Sequence, residues 1–359
     1  MHKDLTLWVP TKNRPQFLYR LLEYYKQTNF KGYLYIGDSS EGVSKDINIK
    51  NIKKYSNVLK IKHSFHPNTS TGHVSAQLVK EIETKYSSFL PDDDLIITSA
   101  INPAIDYLNK NENISGVNGK SLLFITKNNS VFSQITWTRK NCLANLKNDK
   151  PIIRLKNLFS NLLNCNTCIL RTKNQKKVFN EVLKLDSFHS TFIFEELIGC
   201  VVMSLQGKIV QLPELFLCRQ GHKDQTYHKF NIFDWLTHKN WQSSYFILEQ
   251  LAVNEISYSE DLTKDDAKNI FREIFMNYLS KTINAESNRL SNELIINKKN
   301  TFNLIFQNNL KKILNKMIIR KNQFTLTNLL NKKSPYHNEF ITIFNLSKLN
   351  NIVVDDKKI

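Results

Sequence analysis

Three consecutive aspartates, Asp92-Asp93-Asp94, stand between the short apolar run 88–90 with Pro91 and the apolar Leu95-Ile96-Ile97. Neighbouring carboxylates repel one another and resist ionising together unless a cation offsets them. A divalent ion held by two carboxylates and by substrate phosphates is a common offset. Residues one apart in a strand-end loop can point the same way. Asp92 and Asp94 are therefore candidate ligands of one ion, with Asp93 turned toward a ribose or the protein. The plain alternative is a solvated acidic turn. Two further polar clusters, Pro10-Thr11-Lys12-Asn13-Arg14 and Asp38-Ser39-Ser40, also close short apolar runs. A carboxylate pair, Glu195-Glu196, opens an apolar stretch, where an acidic group is in any case a favourable partner of a helix dipole.

These groups need elements to position them, and the first 110 residues supply an alternating pattern. Residues 5–9 read as a strand closed by Pro10-Thr11. Arg14-Pro15 then opens a helix whose apolar face is Phe17, Leu18, Leu21, Leu22 and Tyr25. Residues 33–36 read as a second strand, 58–61 as a third and 88–90 as a fourth, with helices over 73–85 and 103–109. Residues 68–72 form either an ordinary turn into a helix or a loop near a ligand. Such a β-α-β rhythm predicts a parallel, doubly wound sheet, in which ligands gather at the carboxyl ends of strands. The three polar clusters fall at three of those ends. Asn13 is equally suited to capping the first helix and to touching a ligand.

Beyond residue 118 the pattern is mixed, with strand-like runs at 121–125 and 134–137, a helix opened by Glu195-Glu196 and a strand at 209–212. From about residue 223 the chain reads as mostly helical and rich in Lys and Asn. We therefore expect two regions: an α/β domain over 1–225 and a basic, mainly helical region over 226–359. Within the latter, Phe302, Ile305, Ile313 and Met317 form an apolar stripe flanked by Lys298, Lys299, Lys311, Lys312, Lys316, Arg320 and Lys321. This stripe suits a helix lying on an anionic leaflet, or one packed on a neighbouring domain or a second copy.

Composition bounds the rest. At 359 residues and 41% hydrophobic, the chain is neither disordered nor fibrous, and nine Gly and eight Pro argue against a loop-dominated all-β fold. Lys and Arg number 50 against 32 Asp and Glu, a net charge of +18 that attracts anions. The lysines are scattered, so a residue bias explains much of it. The five cysteines form no paired framework, and Cys165 and Cys168 stand as a lone CxxC, read as ordinary thiols. With no secretory signal and no run long enough to span a bilayer, the expected location is cytoplasmic, with peripheral contact at the inner membrane face as an extension.

The opening Leu7-Trp8-Val9-Pro10-Thr11-Lys12-Asn13-Arg14-Pro15, the Asp38-Ser39-Ser40 strand end and Asp92-Asp93-Asp94-Leu95-Ile96 together resemble bacterial family 2-like glycosyltransferases of the GT-A fold. The resemblance is good over residues 5–110, weaker to about 222 and absent beyond. It implies an α/β fold of GT-A type, with a mostly parallel sheet and here a helical C-terminal extension. It implies transfer of a sugar from a nucleotide-diphosphate donor to a glycan, lipid-linked or protein acceptor, with Mg²⁺ or Mn²⁺ at the aspartates and inversion of configuration. Pro10, Thr11, Asn13, Arg14 and Asp38 would then hold the nucleotide, with Asp92 and Asp93 beside it. Glu196, or its neighbour Glu195, would be the general base. Arg219 would contact the diphosphate and His222 would join Asp92 and Asp94 on the metal. In the matching subset an acidic residue often follows that Arg, where Gln220 stands here.

Two rival readings remain. A metal-dependent nucleotidyltransferase would also use aspartates, but its phosphate loop is usually Gly-rich, and the loop around Lys12 has no Gly. A basic nucleic-acid-binding protein would focus cations and aromatics on one element, and the first two-thirds of the chain shows no such focus, so no nucleic-acid partner is expected.

Overall fold

The computed structural model describes residues 2–141, 143–161, 163–185, 192–222, 232–296 and 324–348. The chain opens with β1 (Leu5–Thr11), α1 (Pro15–Gln27), β2 (Tyr33–Asp38), α2 (Gly42–Tyr55), β3 (Lys60–Phe65), α3 (Thr71–Lys80) and β4 (Tyr86–Phe89). It continues with β5 (Asp94–Ile96), α4 (Thr98–Lys110), β6 (Ile114–Thr126), β7 (Ile135–Asn141), α5 (Pro151–Ser160), β8 (Ile169–Arg171), α6 (Thr172–Val182), α7 (Phe192–Gln206) and β9 (Lys208–Gly221). The helices α8 (Ile232–Leu236), α9 (Trp241–Glu260), α10 (Lys264–Ile296), α11 (Leu326–Leu330) and α12 (His337–Ser347) follow.

All seven residues of β1 are buried, as expected of a strand covered on both faces by helices. The sheet runs β3-β2-β1-β4-β8-β6-β9-β5, with β7 added to β6. The first four strands are mutually parallel, and β6 pairs with β9 in parallel, while β8, β5 and β7 join antiparallel. The chain winds outward from β1 to β3 and returns on the other side of β1 as β4. The direction of winding reverses between β1 and β4, and such a reversal opens a crevice at the carboxyl ends of the two strands. The Pro10–Arg14 and Asp92–Asp94 clusters both lie there.

Several sequence-based boundaries shift, each for a local reason. The first helix begins at Pro15, at a position that needs no N–H, and Arg14 occupies the N-cap position without a side-chain cap. Helix α4 starts five residues before Pro103, which sits inside it rather than opening it. Strand β3 lies at Lys60–Phe65 rather than 58–61, and α3 ends at Lys80. Strand β9 does not stop at residue 212. It continues past Pro213 to Gly221, and the β6–β9 register shifts between Asn118 and Lys120, opposite Gln211 and Leu215. That irregularity accommodates a residue that cannot donate to a ladder.

Two large buried clusters surround the sheet. One joins β1, β2, α1, α4 and β6 through Leu7, Val9, Leu21, Tyr25, Ile101 and Phe124, and also takes in Phe324, Leu329, Phe340 and Ile343 near the C-terminus. The other joins α5, α6 and α7 to α9 and α10 through Phe159, Val178, Phe194, Ile198, Leu248, Ala252 and Phe271. Helix α12 is tied down as well. Glu339 accepts hydrogen bonds from the Tyr24 hydroxyl at 3.0 Å and from the Ser99 amide at 3.1 Å. Among the described residues no helix is long and apolar enough to cross a membrane. The basic stripe from Lys298 to Lys321, and with it Phe302, Ile305, Ile313 and Met317, lies outside the described residues.

Candidate functional site

Register alone brings two of the sequence clusters together. In the β1–β2 ladder Thr11 is opposite Asp38, so both strands end at one level. Asp38 is wholly buried. Its Oδ1 accepts from the Ser40 amide at 2.8 Å and its Oδ2 from Asn48 Nδ2 at 3.0 Å. Asn13 has a left-handed backbone, φ 54°, a region that Asn enters more readily than most residues. Its amide donates to Ser40 Oγ at 2.7 Å and its Oδ1 accepts from the Glu41 amide at 2.9 Å. Asn13 thus ties the β1 loop to the β2 loop and does not cap α1. Pro10 closes this floor as a buried residue of β1.

The acidic turn follows β4 across the crevice. Thr11 Oγ1 donates to Asp92 Oδ2 at 2.7 Å, and Arg14 Nε reaches the same oxygen at 3.2 Å. Arg14 Nη2 also bonds Asp92 Oδ1, and its Nη1 bonds Asp93 Oδ2 at 3.0 Å. His222 Nε2 lies 2.9 Å from the same Asp93 oxygen. The antiparallel β5–β9 ladder sets Arg219 opposite Asp94, and Arg219 Nε donates to Asp94 Oδ2 at 3.0 Å. The turn therefore sits among three guanidinium groups, those of Arg14, Arg219 and, from below, Arg20.

Three buried carboxylates cannot ionise alike, and their surroundings separate them. Burial pushes the Asp92 carboxyl up, against the pull of Arg14, and pushes Asp94 up against the pull of Arg219. Asp93 feels the same burial, but the His222 hydrogen bond and the charge of Arg14 outweigh it and hold Asp93 below the usual carboxylate range. Burial draws the Arg20 guanidinium down to about 10, with Asp93 pulling it back, so it stays charged at neutral pH.

Among the described residues no group of three or more His, Cys, Asp and Glu side chains is arranged to hold a metal ion. The donor chemistry for a divalent ion is nonetheless present. Asp94 Oδ1 and His222 Nδ1 are buried without a hydrogen-bond partner, and an unsatisfied buried acceptor is costly unless something binds it. Asp94 Oδ1 and His222 Nδ1 are thus the donor atoms of the turn and the adjoining strand end that remain open to an ion. Asp92, expected as a ligand, has both oxygens engaged by Arg14 and Thr11.

The carboxylate pair divides cleanly. Glu195 is buried and accepts from Ser70 Oγ at 2.7 Å and from the Gly72 amide at 3.0 Å, closing the N-terminus of α3. A Cβ on Gly72 would stand 2.2 Å from the Glu195 carboxyl carbon, so any larger residue there would displace the Glu195 carboxylate from this contact. Glu196, one residue on and about 100° around the helix, is exposed. Protein crowds its carboxyl on the inner side. That burial, opposed by Arg219 and reinforced by Glu195, raises it to about 6. Both glutamates rim a cavity of about 70 Å³ walled by Trp8, Phe89, Gln175, Phe179 and Met203. A larger recess of about 770 Å³, lined by Lys85, Arg171 and Lys176, lies at the opposite, amino end of β4, away from the aspartates.

Arg20 and Gln220 complete the site as residues that the chemistry-first reading of the sequence missed. Arg20 falls three residues after Phe17 on the buried stripe of α1, and a cation at a core position is the signal that marks it. Cys165, Cys168 and Cys200 are buried free thiols. Burial pushes the Cys168 thiol up to about 12, which suits packing rather than reactivity.

A switch-point crevice between β1 and β4, acidic turn on one side and basic strand end on the other, defines an α/β fold of the GT-A type. The particular likeness is to S. aureus TarS 1–349 in complex with UDP-GlcNAc, with a TM-score of 0.51 and 18% identity over 77% of this chain and 72% of that one. Longer S. aureus TarS matches with a TM-score of 0.47 and 17% identity over 77% of this chain and 43% of that chain, so the match spans less than half of TarS. Mannosyltransferase PcManGT from Pyrobaculum calidifontis, in complex with GDP-Man and Mn²⁺, gives a TM-score of 0.42 and 9% identity over 97% and 86% of the two chains. No protein-family profile matches the chain, and no curated protein matches it in sequence.

Proposed function

We propose that the chain is a metal-dependent, inverting glycosyltransferase that moves a sugar from a nucleotide diphosphate to a hydroxyl of a glycan, lipid-linked or protein acceptor. The observation that carries this reading is the placing of the Asp94–Arg219 pair and a free carboxylate, Glu196, around one crevice end. The charge of Arg219 acts on both acids. That TarS 1–349 is described with UDP-GlcNAc supports a nucleotide-sugar donor on this fold.

The geometry supports a role for each residue in this reading. Thr11, Arg14 and the Asp38 floor line the nucleotide end, and Arg14 and Arg219 offer N–H donors to phosphate oxygens. Mg²⁺ or Mn²⁺, held through Asp94 with His222, would offset the negative charge that grows on the departing diphosphate. Glu196 takes the proton from the acceptor hydroxyl as its oxygen bonds the sugar anomeric carbon. The anomeric carbon–oxygen bond breaks and the nucleotide diphosphate leaves with the electron pair. Glu195 holds α7 against α3 and so fixes where Glu196 stands. Purified protein incubated with a panel of UDP- and GDP-sugars in Mn²⁺ should release nucleotide diphosphate from at least one donor, faster with acceptor present. No release from any member overturns the reading.

The elevated Glu196 carboxyl has a sign. A base works deprotonated, so turnover at saturating donor should be full at neutral pH and fall through about pH 6, roughly tenfold per unit below it. A profile flat down to pH 5 removes Glu196 from the role.

A further inference from the structure

The acidic turn rests on a buried cation. Arg20 is 1% exposed, and its guanidinium lies 5.2 Å from the Phe17 ring centroid and 6.0 Å from that of Phe124. Burying a cation among rings costs free energy unless its donors are satisfied; Arg20 Nε has no hydrogen-bond partner, and the two terminal nitrogens carry the bonds. Arg20 Nη2 donates to the Asp93 carbonyl oxygen at 2.9 Å, and its Nη1 donates to Gln220 Oε1. Gln220 passes the contact on, its Nε2 donating to Thr126 Oγ1 and to the Ser130 carbonyl, both at 3.1 Å. One planar fork thus joins α1, the acidic turn, the end of β9 and the β6–β7 connection.

One bond lands on the backbone of the acidic turn and the other on a side chain of the strand end beside it. The Asp93 carbonyl belongs to the peptide that leads into Asp94, so fixing it fixes where the Asp94 carboxylate emerges. Gln220 stands between Arg219, which bonds Asp94, and Gly221-His222, which approaches Asp93. We propose that Arg20 is a positioning residue that holds the Asp93–Asp94 peptide and the Arg219–His222 strand end in one register for a metal–nucleotide diphosphate ligand. A lysine keeps the charge but lacks the planar fork, and it cannot hold both acceptors in the arginine geometry. The inference rests on the nucleotide-diphosphate reading above.

The test pairs binding with a readout that needs no ligand. Arg20→Lys and Gln220→Met are compared with the unaltered protein by calorimetric titration of UDP and GDP, in Mn²⁺ and in EDTA, and by amide hydrogen exchange. Both variants should weaken Mn²⁺-dependent nucleotide affinity by roughly 10–100-fold, the range seen when metal-site support is lost. Both should also speed exchange in peptides covering 92–97 and 217–222 by at least tenfold, with exchange in α9 and α10 unchanged. A merely structural role predicts faster exchange everywhere, a lower melting temperature and unchanged affinity well below it, and that outcome overturns the proposal. If the unaltered protein binds nucleotide but transfers no sugar, the transferase reading fails while the comparison of variants still decides the role of Arg20. If it binds neither nucleotide in Mn²⁺, both fall.

Discussion

Asp94→Asn should remove Mn²⁺-dependent nucleotide-diphosphate binding, lowering affinity at least 100-fold, or about 3 kcal/mol. The substitution is nearly isosteric, and an amide oxygen can still accept from Arg219 Nε, now 3.0 Å from the carboxylate. The fold should therefore survive, and circular dichroism with a melting curve checks that it does. What is lost is the charge, and with it the open Oδ1, the buried acceptor without a partner. Asp92→Asn makes the contrast. Its oxygens already serve Arg14 and Thr11, so its loss should loosen the β1 loop before it touches the metal. Equal, metal-dependent affinity in Asp94→Asn and the unaltered protein ends the assignment of Asp94.

The second large effect belongs to the neighbouring glutamates. Glu196→Gln should leave donor affinity within a few-fold and cut turnover by roughly 10²–10⁴, the span usual for a lost general base. Glu195→Gln should behave differently, because its carboxylate closes α3 through Ser70 and Gly72. Losing a buried, charge-assisted acceptor costs about 1–3 kcal/mol, visible as a lower midpoint in urea. Turnover measured well within the folded range should then fall far less than in Glu196→Gln. If Glu195→Gln instead loses turnover at unchanged stability, the two roles are reversed.

How much of this was legible beforehand depends on which physical signal each feature leaves in the chain. The strand ends at Thr11, Asp38 and Asp92 were readable because a short apolar run broken by Pro, Gly or Asp is a local signal, and register then aligned them. Helix α2 left no such trace, since only Asn48, Ile52 and Tyr55 of its fourteen residues are buried, too few for an apolar face. The far half of β9 was hidden behind Pro213, whose irregular pairing is a tertiary arrangement. Glu196 and its alternative Glu195 stand side by side near the start of α7, which begins at Phe192, and only the packing of α7 on α3 separates the one consumed by structure. Asn13 illustrates the reverse error, a residue suited to capping that the backbone turned toward another loop. Arg20 lies away from the strand ends, and its only sequence signal is a lone cation among Phe17, Leu21 and Tyr24.

The tether of α12 to α1 and α4 also has a consequence for how the protein is made. Glu339 bonds Tyr24 and Ser99, and Phe340 and Ile343 share a cluster with Leu21 and Ile101. These partners leave the ribosome far apart in time. At about 5–20 residues per second, translation from the end of α4 to the start of α12 takes roughly 10–45 s. Through that interval the apolar faces of α1 and α4 lack their final cover, and β6 lacks β9 for the first part of it. Vectorial synthesis therefore presents a nascent half-core that a ribosome-bound holdase can shield, and native closure of this cluster waits until α12 has emerged.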